Sequence, residues 1–584
     1  MGPAFLLRRR VSATGGPFPA TSVAPETAGI ALPRGSGRAL TARGRLRYFL
    51  VAALLLTATE LRAGTGWLSS LPARWEIAEI QIQNRDIYDE DNPAERGWVY
   101  RLVNRIHFTT RESFLRQALP LAPGQKITYA DIQEAERILR RFSFLREVRI
   151  EKRDRPDGRI DLVVITRDSW TTKIGISAGG GGGETRLRLG LEESNLLGFG
   201  RSLAFEFDRT SVRTTKSVSY EDPRFLNSNR KFELRYLDNS DGSGYSAKLS
   251  LPLLRGADPF GWSIEGIRLT EWVPVYDKGE VSYRIERKTT ALEAEAIWTL
   301  SGSALQTLRA GVGFAPRRED FGETEADHGI PPFGPLSVDR RQADIYFLLQ
   351  SRAFRFRSEA YINRFARVED IATGLDGEVR VGVSPEVLAG DEDVWLFNGS
   401  LAGGFDTFRG NFGTARVEVD IRRGARDENQ TGRIEAEATG YFRLSGPLPH
   451  ALGVAHVHWI NGWRLQPQER LLLGGDTGLR GYDAHAFDGQ KRFLMNLEYR
   501  TAWEREWFHL VQLGAAAFLD TGIARDHDVL HPSNWKTSAG IGLRFGIPRA
   551  ARNNVLRLDV SWPFAKDDRG KSGYVISFGS GQAF

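Results

Sequence analysis

From residue 172 to residue 584 the sequence alternates apolar and polar residues with a period of two, and no helical period interrupts it. In "RSLAFEFDR", Leu203, Phe205 and Phe207 oppose Ala204, Glu206 and Asp208. In "ARVEVDIRR", Val417, Val419 and Ile421 oppose Arg416, Glu418, Asp420 and Arg422. In "LRLDVSWPF", Leu556, Leu558, Val560, Trp562 and Phe564 oppose Arg557, Asp559 and Ser561. Successive side chains of a strand point to opposite faces, so each segment reads as a strand with one apolar face and one polar, often charged, face. A soluble sandwich buries the apolar face and wets the other. A membrane barrel inverts this, with lipid outside and a polar lumen inside.

Several features favour the barrel. The segment lengths suit the ~9–11 residues of a tilted membrane-spanning strand. Aromatic residues sit at segment ends, as at Trp562 and Phe564. Closure removes the open edges that lipid could not satisfy. The expected fold is therefore mainly β, a transmembrane antiparallel barrel over 172–584. Counting by eye gives roughly 16 to 20 strands, because long alternating segments divide in more than one way, and bacterial barrels have even numbers.

The N-terminus agrees with export. "RGRLRYFLVAALLLTATELRAG" has basic residues (Arg43, Arg45, Arg47), a short apolar run, then Ala63 before Gly64. The run is too short for a spanning helix of about 20 residues and fits a signal peptide cleaved near Ala63. Residues 1–42 are either an extended leader or a start placed too early, and 64–74 read as a linker. The formal charge of +6 belongs to this leader, which holds nine arginines against Glu26 and Glu60. The rest is close to neutral and has no basic stripe, which argues against a nucleic-acid partner. The absence of cysteine excludes disulfides and thiol chemistry, and suits passage through an oxidising compartment.

Residues 75–170 read as a small α+β domain. "EIAEIQIQ" is a strand. "TTRESFLRQAL" has Thr109 followed three residues later by Glu112, a capping-box pattern that starts a helix. A second helix follows Thr128, with Ile132, Ala135, Leu139 and Phe142 as its buried stripe. The Pro156-Asp157-Gly158 turn joins two final strands. This order, with "LRRFSFLREVRIE" running from a helix end into a strand, resembles a POTRA domain, the periplasmic module of outer-membrane assembly proteins. The resemblance implies a domain that meets client chains by strand addition.

Landmarks then follow in order: "EESNLLGFGRSL" (192–203) before the third barrel strand, "YEDPRF" (220–225) in a periplasmic turn, "LRGY" (479–482) in a long loop, "NLEYR" (496–500) and "AFLDTG" (517–522) in the next two strands, then "SAGIGLRF" and "RLDVSWPF". Together they resemble the BamA/TamA-type family of outer-membrane assembly factors (bacterial surface antigens) and its two-partner-secretion relatives, over about 75–584. The resemblance implies a barrel of 16 strands. It also implies that the LRGY loop is the sixth extracellular loop and folds back into the lumen as a lock, with Arg480, Gly481 and Tyr482 meeting Glu498 and Asp520. The alternation puts Glu498 on the inward face, and Asp520 too, although Phe518 then also points inward. A guanidinium can bind two carboxylates through its planar fork. Gly474, Gly475, Gly478 and Gly481 let the backbone pass tightly.

Two further features concern closure. Gly179, Gly180, Gly181, Gly182 and Gly183 end the first barrel strand, and the last strand carries Gly579 and Gly581. Glycine weakens a strand, so this seam is either a lateral opening toward lipid or a glycine turn after a shorter first strand. In "GYVISFGSGQAF", Tyr574, Ile576, Phe578 and the terminal Phe584 share one face, which resembles an outer-membrane targeting strand. The histidines form no catalytic or metal motif: His107 reads as structural and His485 as solvated. No enzyme activity, cofactor or metal is expected. The resemblance implies a protein of the outer membrane of a Gram-negative bacterium, with its POTRA domain in the periplasm. There it would insert or export unfolded outer-membrane or secreted clients, in contact with the lipid bilayer and with periplasmic chaperones or accessory proteins. A two-partner-secretion transporter for one client and a passive porin are the alternatives.

Overall fold

The structure, a computed structural model, describes residues 74–88 and 97–582 except 304–305, 327–336, 354, 366–367, 389, 427–429, 508–510, 528–530, 532–533 and 547–554. The signal peptide with Ala63, residues 64–73 of the linker, and Phe584 lie outside the described residues.

The alternating segments pair in chain order into one closed antiparallel barrel of 20 strands, from Thr172–Gly181 to Val575–Ser580. The count of 16 implied by resemblance is thus four short. Alternation marks strand faces, but register and turn positions decide how many strands a long segment makes. The extra strands precede the LRGY loop. That loop joins the fifteenth strand (Leu452–Trp463) to the sixteenth (Lys491–Trp507) and is the eighth loop on its side, not the sixth. It remains third from the C-terminal end.

We call the side that carries the N-terminal domain proximal and the other distal. Leu189, Leu191, Phe205, Phe347, Leu558 and Trp562 are exposed apolar residues on the outer surface, as a lipid-facing band requires. The seventh to ninth strands, Phe260–Asp277, Glu280–Gly302 and Gln306–Ala326, have 18, 23 and 21 residues, well beyond the ~9–11 needed to span. Their outer face is apolar at Leu292, Val312 and Phe314. It turns charged farther along, where Lys288 pairs with Glu286 and Arg318 with Asp320. The upper part therefore stands clear of the apolar band. Its tip bends over the distal mouth. Lys278 N donates to Asp488 at 3.4 Å, and the Tyr276 ring lies 4.3 Å from the His485 ring. His485 is therefore buried rather than solvated, because this hairpin, distant in sequence, closes over it.

The N-terminal domain has strands β1 (Trp75–Arg85), β2 (Lys126–Ile127), β3 (Leu145–Asp154) and β4 (Ile160–Asp168), in the order β2-β1-β4-β3 with β1 and β4 parallel. Helices Glu112–Ala118 and Tyr129–Leu139 supply Phe114, Leu115, Ile132, Ala135 and Leu139 to one core with Ile77, Ile160 and Leu162. Thr128 makes a capping box with Asp131. The capping box expected at Thr109 does not form. The helix begins after Arg111 without a side-chain cap, and the Thr109 hydroxyl donates to Asp86 at 2.7 Å. The neighbouring Thr110 is captured by buried Asp168, which accepts from its N–H at 2.6 Å and its hydroxyl at 2.8 Å and also meets His107 at 2.9 Å. A charged acceptor makes the stronger hydrogen bonds. Helix Trp98–Ile106 and the two-residue β2 are not among the expected elements; the helix lacks an acidic first turn, although Val99, Leu102, Val103 and Ile106 recur in its sequence at helical spacing.

The domain seats on the proximal turns of the barrel through the 192–203 landmark. Asn195 donates to Thr110 Oγ1 at 2.8 Å and accepts from Gly200 N at 2.7 Å. Gly200 has φ +66°, and a Cβ there would lie 2.4 Å from the Phe114 ring, so only glycine lets turn and helix meet.

Candidate functional site

The 464–490 loop enters the lumen instead of remaining at the rim. Leu473, Leu479, Tyr482, Ala486 and Phe487 of the loop form a buried cluster with Leu494 and Ala524 of the wall, so burying apolar surface holds the loop inside. Gly478 takes φ +108°, and a Cβ at Gly481 would lie 2.3 Å from Ser538 Cβ. These two glycines let the backbone turn and touch the wall.

At the loop's deepest point Arg480 is 1% exposed. Its Nε and Nη2 donate to the two oxygens of Asp520, each at 2.8 Å, and Nη1 donates to Glu498 at 2.9 Å. The guanidinium carbon stands 3.4 Å from the centre of the Phe518 ring. This explains the inward aromatic that broke the polar pattern: it is the floor on which the cation stacks. Burial opposes the charge of Arg480, but the hydrogen bonds to Asp520 and the charges of Asp520, Glu498 and Asp559 outweigh it and raise its pKa. The backbone is tied as well. Ser561 donates to Arg480 O at 2.7 Å, Gly481 N donates to Ser538 at 3.2 Å, and the Tyr482 hydroxyl donates to Thr537 O at 3.2 Å.

The structure thus brings together Arg480, Gly481, Tyr482, Glu498 and Asp520, and adds residues that sequence reasoning did not select. Asn496 bridges Asp520 and Gly478 O, both at 2.8 Å. Arg500 and Arg544 donate to the second oxygen of Glu498 at 2.9 and 3.2 Å. Asp559 pairs with Arg544 and with Arg557. Their signal was present: Asn496, Arg544 and Asp559 fall on the polar face of their strands and inside the ordered landmarks. The network is ionic and hydrogen-bonded throughout. It can hold or release a loop, and Coulombic pairing of this kind is strong where water is excluded.

The seam is thin. Among the described residues, the last strand and the first share one registered pair, Phe578 opposite Gly180. Every other neighbouring pair in the barrel shares at least six, the smallest being that of the nineteenth strand with the last. A 3.0 Å hydrogen bond between the Ser177 and Ser580 hydroxyls adds to it. Gly179, Gly180 and Gly181 lie in the first strand, and Gly182 and Gly183 form the turn with φ +60° and +85°. The run thus divides between strand and turn, the turn falling after a first strand that ends at Gly181. A Cβ on Gly180 would lie 2.9 Å from the Phe578 ring, and one on Gly181 2.5 Å from Ser577 Cβ. Gly579 lies in the last strand, whereas Gly581 follows it with φ +91°. Tyr574, Ile576 and Phe578 are exposed on the outer surface. The loop reaches the seam from inside: Ala484 N donates to Gly182 O at 2.8 Å, and Asp483 accepts from Arg569, in the loop before the last strand, at 2.9 Å.

A closed barrel with an apolar outer band and a lumen crossed by an ion-paired loop defines a class, the transmembrane β-barrels of the outer-membrane type. Residues 363–584 match the Omp85 superfamily domain. Among solved structures, the chain is similar to BamA from Haemophilus ducreyi lacking POTRA domains 1-3 (14% identity, 86% of this chain and 84% of that chain covered, TM-score 0.44). It is also similar to CdiB from Acinetobacter baumannii (11% identity, 87% and 74% covered, TM-score 0.44) and CdiB from Escherichia coli (13% identity, 87% and 76% covered, TM-score 0.43). No curated protein sequence matches the chain significantly.

Proposed function

We propose that this protein is an outer-membrane assembly or translocation factor that handles client polypeptides beside or through its barrel. In this reading residues 75–170 are a POTRA domain in the periplasm, the LRGY loop is a lock, and the seam opens toward lipid to release or template a client strand. The observation that carries it is the single registered pair at the seam, Phe578 with Gly180. A strand edge that shares few registered pairs with its neighbour is one that another strand can compete for. The exposed C-terminal face of Tyr574, Ile576 and Phe578 supports a role in this protein's own targeting. No cofactor is required, because burial of the client's apolar surface supplies the driving force. A passive porin accounts for neither the docked domain nor a lumen crossed by a buried loop.

The test uses the full mature chain in liposomes and times the insertion of an unfolded small barrel protein. The variant S177C/S580C places thiols where two hydroxyls stand 3.0 Å apart. Insertion is expected to be faster with the native protein, lost in the oxidised variant, and restored by reductant. Equal rates for the oxidised and reduced forms would remove the lateral seam. No acceleration by the native protein would favour a dedicated secretion transporter.

A further inference from the structure

Between the tenth barrel strand (Arg340–Ala353) and the eleventh (Asp376–Ser384), on the proximal side, the chain makes a hairpin that does not join the barrel. Phe356–Ala360 pairs with Val368–Ala372. Its tip enters the lumen. Ile362, 1% exposed, packs against Phe412, Leu452 and Val454. Phe365 packs against Ala502 and Val555. Leu452 and Val454 share the face of the buried, inward His456, and Ala502 shares that of Glu498, so the tip lies against the inner wall.

Two glycines make its socket. A Cβ on Gly514, in the seventeenth strand (Val511–Arg525), would lie 2.6 Å from Phe365 Cζ. One on Gly546, in the eighteenth (Lys536–Gly546), would lie 2.8 Å from Phe365 Cβ. The base of the hairpin is at the tenth and eleventh strands, and its tip reaches the seventeenth and eighteenth of 20. It therefore lies inside the proximal mouth along the arc from the eleventh to the eighteenth strand. Polar contacts fasten it. The Tyr361 ring stacks on His450 with centroids 3.8 Å apart, Arg357 lies 4.8 Å over Phe412 and donates to Asp406 at 2.9 Å, and Glu359 pairs with Arg443. Glu369 closes the turn by accepting from the N–H groups of Asn363 and Arg364 at 2.9 and 2.8 Å.

One side chain joins this hairpin to the distal loop. Arg500 Nη1 lies 3.5 Å from Ile362 O, and its Nε donates to Glu498 at 2.9 Å. The other oxygen of Glu498 accepts from Arg480 at 2.9 Å. The two intrusions, one from each mouth, thus meet across a single carboxylate.

We propose that this hairpin is a proximal plug, coupled to the distal loop through Arg500 and Glu498, so that loosening one loosens the other. A polypeptide or solute entering from the proximal side displaces Ile362 and Phe365 first. The inference does not depend on the assembly reading, because its readout is permeability. The chain lacks cysteine, and the Gly546 and Phe365 sites need only a small shift to reach the ~3.8 Å Cβ spacing of a disulfide. The first measurement is conductance of the full chain in planar bilayers, native and with 356–372 replaced by a Gly/Ser linker. Heat-modifiable gel migration reports whether each barrel is folded. The linker variant is expected to conduct several-fold more than native; equal conductance of a folded linker variant overturns the plug. The second is F365C/G546C. Oxidation is expected to abolish transient openings and reductant to restore them; openings indifferent to oxidation overturn the plug even if the linker variant does not fold. For the coupling, a thiol at I362C is expected to react faster with a charged reagent when R480A is added. Unchanged reactivity overturns the link.

Discussion

Arg480 is out of water, and a buried guanidinium is tolerable because Asp520 takes it bidentately and Glu498 takes its third edge. Removing one partner of such a group costs more than the pair contributes, since the remaining charges stay buried. Arg480→Ala is therefore expected to lower the stability of the folded barrel by about 3–5 kcal/mol, read from the midpoint of its thermal or urea unfolding in lipid. Arg480→Lys, which keeps charge but loses the fork, should fall between. Phe518→Leu removes the stacked ring and should cost about 1–2 kcal/mol; an unchanged midpoint would show that the ring only fills space. At this scale the sequence was informative about Glu498 and Asp520, because inward-facing carboxylates follow from alternation and from the ordered landmarks. The inward faces of Arg500, Arg544 and Asp559 were legible too, but their convergence follows only once four strands are set in register. His485 was misread for a similar reason: its cover, Tyr276, comes from another hairpin.

Elements differ in how much of them is local. The helix Tyr129–Leu139 begins where Thr128 and Asp131 satisfy each other's backbone groups, a pattern contained in four residues. Thr128→Ala should weaken the N-terminal domain by about 1 kcal/mol, and Thr109→Ala, whose hydroxyl caps nothing, should act only through its bond to Asp86. Limited proteolysis of that domain in the full chain separates the two. At the seam, Gly180→Val would drive a side chain into Phe578. It is expected to free the last strand, seen as faster labelling of a thiol at S580C and earlier unfolding on heating. Equal labelling would mean that the ring simply turns aside. The hairpin Phe356–Ala360/Val368–Ala372 was not distinguished from barrel strands, since both alternate with period two; what separates them is that the hairpin pairs only with itself.

For the whole molecule, the N-terminal domain meets the proximal turns of the barrel at two places, around Asn195 and Gly200 and where Arg255 and Gly256 donate to Pro120 O and Glu134 at 3.4 and 3.2 Å. Gly200→Val would strike Phe114. It should undock the domain, giving new protease cleavage near residue 171 while heat-modifiable migration of the barrel persists. Persistence of the native cleavage pattern would show that the contacts at Asn195, Arg255 and Gly256 suffice. By itself the sequence determined what short-range chemistry can encode: a barrel, from period-two alternation; an α+β domain before it, from a helical period and a turn; and inward carboxylates for Arg480, from the pleat. The tertiary structure decided the number of strands, the tall distal hairpin that buries His485, the plug and the single-pair seam. Each depends on which segment pairs with which and at what register. Those are sums over many distant contacts, and a one-residue shift would reverse every face that the local pattern displays.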